Sequence, residues 1–503
     1  MTPPAWLDPL YDAAEMRAAD AWAIERQGVP SLDLMERAGE GLARVTAAAA
    51  RPGPVRVVVG KGNNGGDGLV VARLLRQDGY EVDVLAAAAL DELRGDALAN
   101  LRRLPGPPPE PFAAERLEGS GAVVDALLGT GFEGAPREPL ASAIAAINRQ
   151  DAPVVACDVP SGVDASTGEV EGEAVRAVAT ATFHGPKFGL YVNPGKEHAG
   201  SVEVVEIGIP RGAPGADNGL IAERVLALYP RRARSGSKFV SGVVLVVGGS
   251  LGLTGAPTMT ARSAQRAGAG YVQVAVPGPV QPAVDLRLLE QMSRGLPDAD
   301  GFHTPAGVAV VEEMAERAGA VALGPGLGRD AGAEEFARGV AGAVEVPLLV
   351  DADGLNAHAG RLELFRDRRA PTVLTPHEGE LGRLLERPSD EVARHRLASV
   401  REAAERSGAV VLLKGDDTIV ALPGGDVAVN PVGSPALATA GTGDVLSGLI
   451  AALLAKRLDA FEAACLGALA HVLAAEAAAA RVGADHVMAG DVIDALPHGL
   501  TLR

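Results

Sequence analysis

Short β-branched runs alternate with helical patterns twice along this 503-residue chain, with a single lapse between the two series. The first series has strand-like segments at Val55–Val59, Glu81–Leu85, Ala122–Leu127, Val154–Cys157, Ala179–Phe183 and Val202–Ile207. The second has them near Val243–Val247, Tyr271–Val276, Ala320–Leu323, Leu348–Val350, Thr372–Leu374, Val410–Leu413 and Thr418–Ala421. Strands that alternate with helices pack as mostly parallel sheets. Between Ile209 and Ser237 the pattern gives way to Pro/Gly/Arg-rich sequence, Pro210–Gly215 and then Pro230–Arg234, which reads as a linker. The length exceeds one ordinary core. Two α/β domains joined end to end are expected, at 1–215 and 216–503. Two amphipathic helices should open the chain, one over about Asp12–Gln27 that stops at Gly28, the other capped by Ser31.

Each series carries a Gly-rich loop at a helix start. The first, Gly60-Lys61-Gly62-Asn63-Asn64-Gly65-Gly66-Asp67-Gly68, follows a strand. The second, Ala440-Gly441-Thr442-Gly443-Asp444, opens an apolar helical run. Both place bare N–H groups where an anion is favoured. The net charge of −18 argues against nonspecific nucleic-acid binding, so anions must be captured locally by such loops. Lysine is scarce. Of the six, Lys61, Lys187, Lys238 and Lys414 sit in or beside Gly-rich segments, and some of these sites should need a compact ammonium. No run of eighteen uninterrupted apolar residues and no leader pattern is seen, so no membrane span or export is expected. Cys157 and Cys465 have no metal spacing and read as buried small hydrophobes in a reducing, cytoplasmic setting.

Gly60-x-Gly62-x-x-Gly65 matches the dinucleotide-binding fingerprint, with Asp83 near the end of the next strand. Two further strand-end segments can reach the same crevice: Asp125-Ala126-Leu127-Leu128-Gly129-Thr130-Gly131 and Asp158-Val159-Pro160-Ser161-Gly162-Val163-Asp164. Asn64, Asp125 and Ser161 offer oxygens to a weakly held cation, and Asp158 is a candidate acid/base group; helix capping is the plain alternative for each. Together with Met16–Asp20 and Leu34–Gly39, these motifs resemble the NAD(P)H-hydrate epimerase family over about residues 12–210. The resemblance implies a Rossmann-like domain that interconverts the R and S epimers of hydrated NADH and NADPH. It implies substrate contacts at Asn63, Asn64, Gly65, Gly66 and Asp67, at Gly129, Thr130, Gly131, Phe132, Glu133, Gly134 and Ala135, and at Asp158. It also implies a potassium ion on Asn64, Asp125 and Ser161. Lys187, in His184-Gly185-Pro186-Lys187, is a further candidate.

In the second series, the Gly441–Asp444 turn can form an anion hole, with Asp444 held ionised as a base by the positive helix end. His377, between a Thr-Pro turn and two carboxylates, reads as functional. Asp351 and Asp353 either help bind hydrated magnesium or cap their loop. The motifs Gly248–Ser250, Thr254–Pro257, Gly324–Gly328, Asp351–Asn356, Thr375–Glu380, Lys414–Thr418 and Ala440–Gly448 resemble the ribokinase-like ADP-dependent NAD(P)H-hydrate dehydratase family over about residues 234–500. The resemblance implies ADP contacts at Lys414, Gly415, Asp416, Asp417, Thr418 and Gly443. It implies contacts to the hydrated dinucleotide at Ala256, Gly326, His377 and Asp444. Ser235-Gly236-Ser237-Lys238 departs from the family pattern, so the resemblance gives Lys238 no role.

The joint expectation is a repair enzyme for NADH and NADPH hydrates. It would use ADP, K+ and Mg2+, act on both epimers, bind no nucleic acid and assemble as a homo-oligomer. The alternative is a ribokinase-like small-molecule kinase fused to a nucleotide-binding module.

Overall fold

The computed structural model describes residues 4–232 and 234–502. Met1–Pro3 of the leader reading, Ala233 of the linker and Arg503 lie outside the described residues. Residues 9–219 form one compact unit; residues 4–8 fold with 220–503 in a second.

The strands before the first lapse are β1 (Leu7–Leu10), β2 (Val55–Val59), β3 (Val82–Ala86), β4 (Glu110–Pro111), β5 (Ala122–Ala126), β6 (Val154–Cys157), β7 (Ala179–Phe183) and β8 (Ser201–Val205). β2 to β8 make a seven-stranded parallel sheet in the order β4-β3-β2-β5-β6-β7-β8. β2 is central: Val55 aligns with Val82 on one side and Ala122 on the other. All five residues of β5 are buried, as a parallel strand covered on both faces requires. The chain leaves β2 toward β3 and β4, then returns to β5 and continues the other way. The loops after β2 and β5 therefore part and open a crevice at the carboxyl end of the sheet.

The later strands are β9 (Asn218–Ile221), β10 (Val243–Val247), β11 (Tyr271–Pro277), β12 (Met292–Leu296), β13 (Asp298–Ala299), β14 (Phe302–His303), β15 (Ala320–Leu323), β16 (Leu348–Val350), β17 (Thr372–Leu374), β18 (Val410–Leu413), β19 (Ile419–Ala421) and β20 (Val427–Val429). They build an eleven-stranded sheet, β1-β9-β20-β19-β18-β17-β16-β15-β10-β11-β12, with β13 and β14 as a separate ribbon. From β18 to β12 neighbours run parallel, whereas β18, β19 and β20 are antiparallel. The helices Thr442–Ala455 and Ala460–Val482 supply much of this unit's core. The second is long and apolar enough to cross a bilayer, but most of it is buried against the sheet side of the core. An all-round apolar helix is what such a packed position needs.

Local readings shift in four places. Asp12 does cap a helix, yet that helix ends at Ala21 and a π turn, Trp22–Arg26, completes the stretch to Gln27. Ser31 is the first helical residue, with Pro30 at the cap position. The expected linker contains β9 and the turn Glu223–Leu228, whose Leu220, Ile221, Val225 and Leu226 are buried. The flanking Pro/Gly/Arg-rich runs mask this short apolar piece. β4 and β12 escape the reading because Glu110–Pro111 and Met292–Leu296 lack β-branched residues.

Candidate active sites

In the first unit the helix Asn63–Gln77 starts directly after β2. A Cβ on Gly65 would lie 2.1 Å from the Gly60 carbonyl oxygen, so only glycine lets the loop fold this tightly onto the helix start. The crevice is a cavity of about 1080 Å³. Asn63, Asn64, Asp67, Gly129, Thr130, Gly131, Phe132, Glu133 and Asp158 line it, as does Lys187. Gly65 and Gly66 are buried in the first turns of the helix without lining the cavity, and Gly134 and Ala135 do not line it either.

Asp158 follows β6 with φ 68, a left-handed conformation that costs a non-glycine residue free energy. Lys187 is fully buried and donates to Asp158 Oδ1 at 2.6 Å, to Thr182 Oγ1 at 2.9 Å and to the Phe183 carbonyl at 2.7 Å. Thr182 Oγ1 and the Phe183 N–H also donate to Oδ1, at 3.2 and 3.3 Å. One carboxylate oxygen is thereby fixed, and the other takes none of these bonds. Asp20, also in the wall, has its carboxyl pushed up to about 6 by burial, against the pull of Lys187 and with the Asp158 charge adding to the rise. Burial, then Asp158, Asp20 and Asp96, raise Asp67 well above the carboxylate range. The sequence reading treats Asp20 only as part of a motif; nothing but its place on the helix Ala13–Ala21 could have marked it.

Below the cavity, Asp125 is fully buried. It accepts from Ser161 Oγ at 2.6 Å, Ser161 N–H at 2.8 Å and Leu127 N–H at 3.3 Å. Leu128 N–H donates to Ser161 Oγ at 2.9 Å, and Asn64 Nδ2 reaches the Leu128 carbonyl at 2.6 Å. Asn64, Asp125 and Ser161 are thus tied to one short loop. Burial raises the Asp125 carboxyl to about 6, and no cationic side chain pairs with it among the described residues. A buried carboxylate among neutral oxygens is a donor set that fits a monovalent cation. Asp83 lies elsewhere: it pairs with Arg56 and, at 3.5 Å, with Arg116 across the sheet.

In the second unit the helix Thr442–Ala455 starts after Gly441, whose φ of 93 suits glycine. Lys414, at the end of β18, pairs with Asp351 Oδ1 at 2.8 Å and stands 3.6 Å from Glu380 Oε2. Ser447, one turn into the helix, donates to Asp351 Oδ2 at 2.6 Å. Burial works against the Lys414 ammonium, yet Asp351, Glu380 and Asp444 hold its pKa above the ordinary value. Asp444 differs from expectation. Burial first, then the charges of Asp351, Asp353 and Glu380, push its carboxyl up to about 7 against Lys414, and the positive helix end does not keep it low. His377 caps the helix Glu378–Leu385 through Nδ1, which accepts from Gly379 N–H at 3.0 Å. Burial lowers its pKa, opposed by the charge of Glu380.

A Cβ on Gly443 would lie 3.6 Å from Lys414 Nζ, and one on Gly326 would lie 3.1 Å from Ala256 Cβ. These spacings bring Gly443 to Lys414 and Gly326 to Ala256. Asp417 turns inward: its carboxylate meets buried Arg396 at 2.8 and 2.9 Å. Arg396 also pairs with Glu378 and braces the Lys414 carbonyl at 3.3 Å. No motif in the sequence points to Arg396. Thr418 Oγ1 closes the turn on the Gly415 carbonyl at 2.8 Å, which leaves Gly415 and Asp416 within the same loop. Asp351 is taken by Lys414 and Ser447, and Asp353 by Gly328 N–H, Asn356 and Arg329. Lys238 sits over the rings of Phe239 and Tyr271, 5.2 and 5.0 Å from their centroids.

A Rossmann-like unit with a carboxylate–lysine cavity and a ribokinase-like unit with a glycine-led helix beside Lys414 define an enzyme with two centres. A family model described as NAD(P)H-hydrate dehydratase matches residues 244–498, and one described as YjeF-related protein N-terminus matches residues 31–189. The bifunctional NAD(P)H-hydrate repair enzyme Nnr of Salinibacter ruber is 43% identical over 97% of this chain and 95% of its own. Its counterpart in Moorella thermoacetica is 41% identical over 98% and 96%. A solved ADP/ATP-dependent NAD(P)H-hydrate dehydratase from Bacillus subtilis, co-crystallized with ATP/Mg2+, is 29% identical and covers 56% of this chain and 96% of its own, with a TM-score of 0.49. The chain belongs to the bifunctional NAD(P)H-hydrate repair enzyme family.

Proposed function

We propose that the chain repairs hydrated NADH and NADPH, with epimerisation in 1–215 and ADP-dependent dehydration in 216–503. The observation that carries the reading is the pair of unlike centres: a carboxylate locked by a buried lysine in one unit, and a carboxyl near neutrality beside an anion-hole helix in the other. In the second centre, Asp444 takes the proton from the hydroxyl on the saturated ring carbon. The freed oxygen bonds to the terminal phosphorus of ADP, and AMP leaves with the electrons of the broken P–O bond. Lys414 and the bare N–H groups at Gly441–Asp444 stabilise the charge on the transferred phosphoryl group. The C–O bond then breaks with help from the ring-nitrogen lone pair, phosphate departs, and loss of the neighbouring ring proton restores the reduced nicotinamide. Ala256, Gly326 and His377 hold the dinucleotide so that one epimer, S, is aligned for this sequence.

Without the first centre the R form would persist. There Asp158 is the acid/base candidate, with Lys187 holding one of its oxygens. Arg17 and Arg137 in the cavity wall can meet the substrate's phosphates. Asn64, Asp125 and Ser161 would hold potassium, which would supply a fixed positive charge beneath the loop. Magnesium is part of the same reading for the ADP phosphates. Cytoplasmic action and a homo-oligomeric assembly complete it.

The test uses an R/S mixture of hydrated NADH, with and without ADP and magnesium, and follows the return of reduced-nicotinamide absorbance. Full ADP-dependent recovery supports both activities. Recovery that stalls at the S fraction removes the epimerase, and no recovery removes the dehydratase.

A further inference from the structure

Neither centre accounts for a second cavity in the second unit, of about 630 Å³. In a chain of net charge −18, its wall gathers four guanidinium groups: Arg232, Arg262, Arg266 and Arg287. Only Arg266 has a carboxylate partner among the described residues, Asp494 at 3.1 Å. Arg287 donates to Thr254 Oγ1 at 2.6 Å, and Arg232 makes long bonds of 3.4 Å to the Gly268 and Ala269 carbonyls. Arg262 has neither an ion pair nor a side-chain hydrogen bond among the described residues. Glu290 is the acidic residue in the wall.

Two observations behind the wall point the same way. The Lys456 ammonium is buried with no hydrogen-bond partner, over the ring of the wall residue Tyr229 at 4.2 Å. A Cβ on Gly268, itself in the wall, would come within 3.1 Å of that ammonium. Five positive groups thus face two carboxylates. Uncompensated charge around a concave surface focuses the field and concentrates anions there. Guanidinium forks match phosphate oxygens two at a time. The volume is that of a small-molecule site, and Leu289, 90% exposed at the rim, offers an apolar edge. On the helix Gly255–Arg266, Ala256 is in the first turn; Arg266 lies ten residues on, about 15 Å along the axis, and Arg262 six residues on, about 9 Å.

We propose that this cavity binds a phosphorylated small molecule, apart from the nucleotide handled at Lys414 and Asp444. The experiment is calorimetric titration of the full chain with inorganic pyrophosphate, for wild type, R262E/R266E and the milder R262Q/R266Q. The expected result is measurable binding that weakens about tenfold or more in the charge-reversed pair and less in the glutamine pair. The KM for ADP in dehydration should stay within about twofold in both variants, which also reports that they are folded. Equal pyrophosphate affinity in wild type and both variants would overturn the proposal. So would binding that ADP displaces at its own KM, because the anion would then sit in the catalytic loop.

Discussion

Near pH 7 the Asp444 carboxyl stands close to half-protonated, so a base at this position works better as pH rises. The kcat/KM of dehydration should fall about tenfold per unit below pH 7 and level off above it. The same residue strains the fold. Its folded pKa lies above the ordinary carboxylate value, so the native state binds more protons than the unfolded chain between about pH 4 and 7, and stability declines as pH rises through that window. Asp444→Asn should therefore abolish dehydration while raising the melting temperature at pH 8; a lower melting temperature would contradict the assignment of burial as the cause. Lys187 makes the opposite case. Replacing it with Met leaves the buried Asp158 charge without its cation, which should cost about 3–5 kcal/mol in denaturant titration. Epimerisation should vanish in Lys187→Met, and dehydration of the purified S form should remain at temperatures where the variant stays folded.

At the level of elements, both centres place glycines at a helix start, the first directly beyond a parallel strand and the second beyond the antiparallel β20, and these glycines do different jobs. Gly65 has backbone against it, 2.1 Å from where a Cβ would be, so Gly65→Ala must shift the loop from its strand. Gly443 has only side-chain tips within reach, Lys414 Nζ at 3.6 Å and Asp351 Oδ2 at 3.9 Å. Gly443→Ala should fold normally and raise the KM for ADP, whereas Gly65→Ala should lose epimerisation and stability together; circular dichroism melts beside kinetics separate the two. The same contrast explains what could be read beforehand. The Gly-rich loops, Asp158, Lys414 and Asp444 are legible because each motif is contiguous in the chain, at a strand end for Asp158 and Lys414 and at a helix start for Asp444. Asp20 and Arg396 are not, since each reaches its site from a helix remote in sequence: Asp20 joins Asp158 across the cavity, and Arg396 joins Asp417. β9 was hidden for a related reason. Its four residues are held by the neighbouring sheet rather than by any strong propensity of their own.

For the whole molecule, two centres in separate units set up a test of whether the intermediate leaves one centre and enters the other as a free molecule. An equimolar mixture of Asp158→Asn and Asp444→Asn should then restore complete recovery from an R/S mixture, where each alone stalls or fails. Continued stalling in the mixture would mean that the epimers never leave the chain. The unit boundary carries a last consequence. Residues 4–8 fold with 220–503, and Trp6 meets Phe461 with ring centroids 5.9 Å apart. On a ribosome that segment emerges ahead of the whole of 9–219, and waits roughly 10–40 s at ordinary elongation rates before its own unit even begins to appear. The nascent chain must carry an unclaimed tryptophan through the folding of another domain.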